Sequence, residues 1–229
     1  MREIILDTET TGLEPADGHR VVEIGCMELV NHIPTGQFWH EYFNPERDVP
    51  EAAFNIHGLS ESFLKDKPLF AERAGEFLGF IEDAQIVIHN AAFDTAFLDA
   101  ELARAELPPL PAARVVDTLA LARRKHPAGP NSLDALCKRY GIDNSARTRH
   151  GALLDCELLA EVYLELIGGR QANLTLTQAN QRRSGPQTGR SIERPAPLPG
   201  RVSEVDRAAH RAAVAALGAN AIWLRYRDE

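Results

Sequence analysis

Up to Asn44-Pro45, the apolar residues of this chain come in short runs or alternate with polar ones. Ile4-Ile5-Leu6 is a brief apolar run that meets a carboxylate at Asp7, the pattern of a buried strand. Val21 to Val30 reads as a second strand, and Gln37 to Phe43 alternates aromatic and polar side chains as a third. Three β-rich segments in succession predict an antiparallel meander. Helical spacing then takes over. Phe70, Ala74, Phe77, Leu78 and Ile81 fall on one helical face. Ile86-Val87-Ile88 predicts a short strand, with a helix from Ala91 to Ala105 before Pro108-Pro109. Val115-Val116 predicts a strand ending at Asp117, and Thr118 to Lys125 a helix. Ser132 is placed to cap a helix through Tyr140 that Gly141 stops. A long amphipathic helix follows from Gly151 to Ile167. Strands first, then strands interleaved with helices, predict an α/β domain with a mixed sheet of five strands and flanking helices.

After Gly169 the pattern dissolves. Residues 184–200 hold seven Gly or Pro and almost no large apolar side chain, a composition expected to form a flexible linker. Order is expected to return where Ser203 can cap a helix from Glu204 to Leu217, ahead of Ile222-Trp223-Leu224. The expected organisation is therefore a domain over 1–169, a linker over 170–202 and a C-terminal segment over 203–229.

Charge follows the same division. Residues 1–170 carry 16 basic against 28 acidic side chains, whereas 171–229 carry 9 against 5. An acidic domain binds a polyanion poorly through charge alone, unless cations neutralise its carboxylates where contact is made. No apolar run approaches the ~20 residues of a membrane helix, and the N-terminus lacks the apolar stretch of a signal peptide. Cys26, Cys137 and Cys156 form no C-x-x-C pair, as expected of reduced thiols in a cytoplasmic protein. The chain has neither G-x-x-x-x-G-K-[ST] nor G-x-G-x-x-G, so the two common phosphate-binding loops are missing.

The candidate chemistry lies in carboxylates next to strand ends and helix starts. Asp7 and Glu9 are two apart in an extended stretch and point the same way. Asp94 falls in the first turn of the helix after Ile86-Val87-Ile88. Asp155 lies inside the last helix of the domain, with His150 in the loop before it. A spacing of five turns about 140° around a helix, so His150 can swing toward Asp155 only from a loop. Any one of these fragments is commonplace. Together they gather carboxylates that repel one another unless divalent cations sit among them, and hard oxygen ligands favour Mg²⁺ or Mn²⁺ over zinc.

In this order the motifs resemble those of the DEDD exonuclease superfamily: Asp7 and Glu9 in its first motif, Asp94 in its second, His150 and Asp155 in its third. Histidine in the third motif marks the His-containing branch. The stretches Asp7-Thr8-Glu9-Thr10-Thr11-Gly12-Leu13, Val22-Glu23-Ile24-Gly25, Ile56-His57-Gly58-Leu59, His89-Asn90-Ala91-Ala92-Phe93-Asp94, Val116-Asp117-Thr118-Leu119 and Asn131 to Cys137 are similar to the branch members that proofread for bacterial replicative polymerases. The likeness spans about residues 1–168. It implies an RNase H-like fold and a 3′→5′ DNA exonuclease that releases 5′-mononucleotides from a single-stranded 3′ end. It further implies two divalent cations, Mg²⁺ or Mn²⁺, on Asp7, Glu9, Asp94 and Asp155, with His150 as general base. Thr10, Thr11, Gly12 and His57 resemble contacts to the terminal nucleotide. Gln171, Leu174 and Leu176 resemble a sliding-clamp-binding segment at 171–176, and the segment around Trp223 implies docking to the polymerase's catalytic (alpha) subunit. Two rival readings are a stand-alone exonuclease for RNA or oligonucleotides and a catalytically silent clamp–polymerase adaptor.

Overall fold

The structure is a computed structural model, which describes residues 1–147, 149–168 and 202–217. A five-stranded sheet runs in the order β3-β2-β1-β4-β5. It comprises β1 (Arg2–Thr10), β2 (Val21–Val30), β3 (Ile33–Tyr42), β4 (Gln85–Ile88) and β5 (Val115–Asp117). The first three strands form the expected antiparallel meander, and β4 and β5 extend the sheet in parallel from β1. Parallel neighbours require crossovers, which the intervening helices supply.

Helices cover both faces. Ile4 and Leu6 of β1 point to one side, where they meet α3 (Phe70–Ile81) and α4 (Ala91–Arg104) through Phe70, Phe77, Phe97 and Leu98. Ile5 points to the other, into a cluster with α5 (Thr118–Lys125), α6 (Leu133–Tyr140) and α7 (Ala152–Leu166). That alternation assigns every residue of β1 to a face. Glu3, Ile5, Asp7 and Glu9 share the α7 side, and Thr8 shares the α4 side.

Local chemistry sets several boundaries where the sequence predicts them. Ser132 Oγ accepts from the Ala135 N–H at the start of α6, and Gly141 closes that helix at φ 69°. Asp117, the last residue of β5, accepts from the Leu119 N–H and so starts α5. The first strand departs from expectation: it runs on to Thr10, so Asp7 and Glu9 lie within it rather than after it. Pairing with β2 explains the extension, because Asp7 faces Gly25 and Glu9 faces Glu23 across the ladder. Two short helices, α1 (Glu51–His57) and α2 (Glu61–Leu64), fill a stretch that periodicity left unassigned.

Gly25 fixes how α7 meets the sheet. A Cβ there would stand 2.5 Å from the Ala152 backbone, so the first turn of α7 lies directly on β2 beside Asp7. Farther along the chain, α8 (Glu204–Ala216) begins with a reciprocal cap: Ser203 Oγ accepts from the Asp206 N–H, and the Ser203 N–H donates to Asp206 Oδ2. The candidate clamp-binding residues Gln171, Leu174 and Leu176, and Trp223, lie outside the described residues. No helix among the described residues is long and apolar enough to cross a membrane.

Candidate active site

The end of β1 opens into a cleft of about 790 Å³, which Asp7, Glu9, Asp94, His150 and Asp155 line together. Each arrives from a different element. Asp7 and Glu9 stand on the α7 side of β1. Asp155 is in the first turn of α7, where Gly25 admits the helix. Asp94 is in the first turn of α4 on the opposite face; its Oδ1 accepts from the Thr8 N–H at 3.1 Å and from Thr8 Oγ1 at 2.7 Å. His150 sits in the loop before α7, its backbone N–H donating to the Ile56 carbonyl at 3.2 Å, which ties that loop to α1.

Burial governs the electrostatics. Glu9, Asp94 and Asp155 are buried, and Asp7 is half-buried. Loss of water pushes the Asp7 carboxyl well above the usual carboxylate range, and the nearby charges of Asp94, Glu9 and Asp155 push it further. Glu9 is raised to about 8 by burial, then by Glu23 and Asp155. Burial raises Asp94 to about 7, against the opposing hydrogen bonds from Thr8. Asp155 moves the other way: burial pushes it up, but the hydrogen bonds and charge of Arg147, with His150 beside them, outweigh that and hold it low. Three acids under mutual repulsion and one steadied by a cation form a site that favours added positive charge.

The ligand atoms suit a hard cation. One ligand atom each from Glu9, His150 and Asp155 lies within 4.8 Å of the others, close enough to share an ion. No hydrogen bond to the Asp7 or Glu9 side chain is found among the described residues, so the protein itself leaves their oxygens available. Sequence reasoning missed the cation the fold already supplies: Arg147, whose guanidinium grips Asp155 with two bonds of 2.6 Å. The available signal was a basic residue three positions before His150, with Arg149 also basic, which periodicity does not mark.

A second cavity, of about 550 Å³, continues from the first, and Thr8, Glu9, Leu13 and Phe93 line both. Here Thr10, Thr11, Gly12 and His57 come together with Pro50, Ala53 and Ile56. Thr10 Oγ1 donates to the Gly12 carbonyl at 2.7 Å, and Thr11 Oγ1 accepts from the Arg20 N–H at 3.0 Å, fixing the turn that follows β1. His57 Nδ1 accepts from the Leu59 N–H at 3.0 Å. Nε2 therefore carries the ring's remaining proton, and no partner for it is found among the described residues. Burial shifts this imidazole downward, which keeps it neutral and leaves one N–H donor. Apolar walls with a few fixed donors suit a base and sugar rather than a bare phosphate. Leu13, Ile56 and Phe93 had no assigned role in the sequence because their part depends on α1, which pattern did not reveal.

Comparison with known proteins agrees with this geometry. The family model described as Exonuclease matches residues 4–163. The DNA polymerase III subunit epsilon of Rickettsia felis is 57% identical over 175 residues, covering 75% of this chain and 76% of that protein. The protein of the same name from Escherichia coli (strain K12) is 51% identical over 176 residues, covering 74% and 72%. Among solved structures, exonuclease X in complex with 5′-overhanging duplex DNA superposes with a TM-score of 0.56 at 25% identity, covering 73% of this chain and 92% of that one. The nuclease domain of 3′hExo, a DEDDh family member bound to rAMP, reaches 0.64 at 15% identity with the same coverages, which shows a shared fold.

Proposed function

The chain belongs to the exonuclease family and is a proofreading 3′→5′ exonuclease, and from that premise we propose how its residues divide the work. Asp7, Glu9, Asp94 and Asp155 would hold two divalent cations, Mg²⁺ or Mn²⁺. When bound, such ions supply charge neutralisation at the phosphorus and at the leaving oxygen, together with a more acidic water. The protein's own groups do the rest. Thr10, Thr11, Gly12 and His57 seat the 3′-terminal nucleotide in the second cavity and turn its phosphodiester toward the carboxylates. The His57 N–H supplies one fixed donor there, and the apolar walls exclude water around the base without reading its edge. His150, half exposed on its loop, takes the proton from the attacking water as general base. The polar end of the cleft receives the released 5′-mononucleotide.

The observation that carries this reading is the convergence of four carboxylates and a histidine, from opposite faces of one sheet, beside an apolar cavity of nucleotide size. We further propose that the chain edits for DNA polymerase III. Residues 171–176 (Gln171, Leu174, Leu176) would engage the sliding clamp, and 203–229, with Trp223, the alpha subunit. An acidic domain needs such a tether, because it holds only a few nucleotides itself.

The test is degradation of 3′-labelled single-stranded DNA and of RNA of the same sequence, with Mg²⁺, Mn²⁺ or EDTA, beside Asp7→Ala. Ion-dependent release of mononucleotides from DNA, lost in the variant, is expected. Trimming of RNA alone would assign the protein to RNA turnover instead. Silence on both substrates from folded protein would leave the adaptor reading.

A further inference from the structure

Arg147 stands among the groups that the proposed chemistry needs free. Its side chain is only 6% exposed. Nε donates to Asp155 Oδ1 and Nη2 to Oδ2, both at 2.6 Å, a two-point fork that engages both carboxylate oxygens. Nη2 also reaches His150 Nδ1 at 2.8 Å, and Nη1 reaches Asp134 Oδ1 at 2.8 Å. Asp134 is more than half exposed and stands apart from the buried acids, so it acts as the outer anchor of the guanidinium.

The bond to His150 has a specific consequence. A guanidinium only donates, so Nδ1 must be the acceptor. A neutral imidazole in that state carries its proton on Nε2 and has its one free lone pair committed to Arg147. Neither ring nitrogen can then take a proton from water. The same side chain thus occupies the carboxylate that would hold an ion and the nitrogen that would act as base.

We propose that Arg147 is a resident cation that holds the ion-free site closed and gives way when a divalent cation arrives. With an ion on Asp155 the fork would open, and the lone pair of His150 Nδ1 would be free. Until then Arg147 offsets the repulsion that would otherwise spread the carboxylates. It is a positioning residue, acting through Asp155 and His150, and the proposal rests on reading the carboxylates as a cation site.

Calorimetric titration of the full chain with Mn²⁺ alone tests it. Arg147→Gln should bind Mn²⁺ about tenfold more tightly than wild type, because the competitor is gone. Arg147→Lys keeps the charge but loses the fork and should fall between the two. Asp134→Asn weakens the exposed outer anchor, which Asn144 Nδ2 also contacts at 3.0 Å, and should tighten binding about twofold. In wild type, the Arg147 Nε–H nuclear magnetic resonance signal should move as Mg²⁺ is added. Unchanged or weaker Mn²⁺ binding by Arg147→Gln would overturn the proposal. So would Arg147→Lys behaving as wild type while Arg147→Gln tightens, since net charge alone would then be at work. An Nε–H signal that stays fixed at saturating Mg²⁺ would overturn it independently, even if Arg147→Gln does not fold. Failure of wild type itself to bind Mn²⁺ would remove the cation-site reading and this proposal with it, a result distinct from the others.

Discussion

Buried acids occupy both ends of β1 on the same face, and the protein treats them in opposite ways. At the start of the strand, Glu3 is fully buried. Its Oε1 accepts from Tyr163 Oη at 2.8 Å, whereas Oε2 accepts no hydrogen bond among the described residues, although His32 Nδ1 stands 2.8 Å away. At the far end, Asp7 and Glu9 have no side-chain hydrogen bond among the described residues, and Asp155 adds a further negative charge. The same helix, α7, produces both outcomes: its C-terminal half brings a phenol to Glu3, and its first turn brings a carboxylate to Asp7. A donor at one oxygen offsets part of the cost of burying an acid. Acids crowded together without donors cost stability, which Arg147 offsets in part and a bound cation would offset further. That contrast would separate a structural carboxylate from an ion-holding one more sharply than burial does, since Glu3 and Glu9 are both buried.

The contrast is broken most directly by replacing one acid at the open end. Asp7→Asn should lower turnover by about 10⁴-fold or more while leaving the ion-free protein at least as stable as wild type, because it removes a mutually repelling charge. Single-turnover kinetics and denaturant melts in EDTA check both halves; a destabilised variant would make Asp7 structural, like Glu3. His150→Ala should slow turnover about 10²–10⁴-fold with Mn²⁺ affinity largely kept, the mark of a base that holds no ion alone.

Stability should also answer to ions and pH together. The folded chain keeps the Glu9 proton up to about 8, whereas an ordinary glutamic acid releases it at 4.5, so the folded state binds more protons between these values. Stability in EDTA should therefore fall as pH rises from 4.5 to 8, with Asp94, raised to about 7, adding to the loss. Divalent ion at a hundred times its dissociation constant should restore about 2.7 kcal/mol near the top of that range, and Asp7→Asn should abolish the gain. Thermal melts across pH, with and without Mg²⁺, would show it. A flat profile in EDTA would mean that the carboxylates are not under strain.

The smallest effect belongs to the end that has a donor. Tyr163→Phe removes one donor from Glu3 and should cost about 1–3 kcal/mol of stability with turnover unchanged. A fall in turnover would couple the two ends of α7 and weaken the distinction drawn between them.

Much of this was legible in the chain itself. Residues that act through local physics announced themselves: alternation marked β3, Ser132 and Gly141 bounded α6, and Asp117 started α5. The carboxylates and His150 could be singled out because their chemistry is unusual in an apolar setting. Other features had no local signature. Helices α1 and α2 are too short for periodicity to stand out, and α1 supplies Ala53, Ile56 and His57 to the second cavity. Arg147 reads in sequence as one more surface charge, because nothing within a few residues shows it turned inward. Whether a buried acid receives a donor depends on residues far along the chain: Glu3 and Tyr163 are 160 positions apart, and Thr8 and Asp94 are 86 apart. The sequence by itself determined which residue types are available and which face of each strand or helix they occupy, since both follow from backbone period. Only the tertiary structure decided which acids receive a donor and which are left facing one another, because that depends on how α4 and α7 are set down across the sheet.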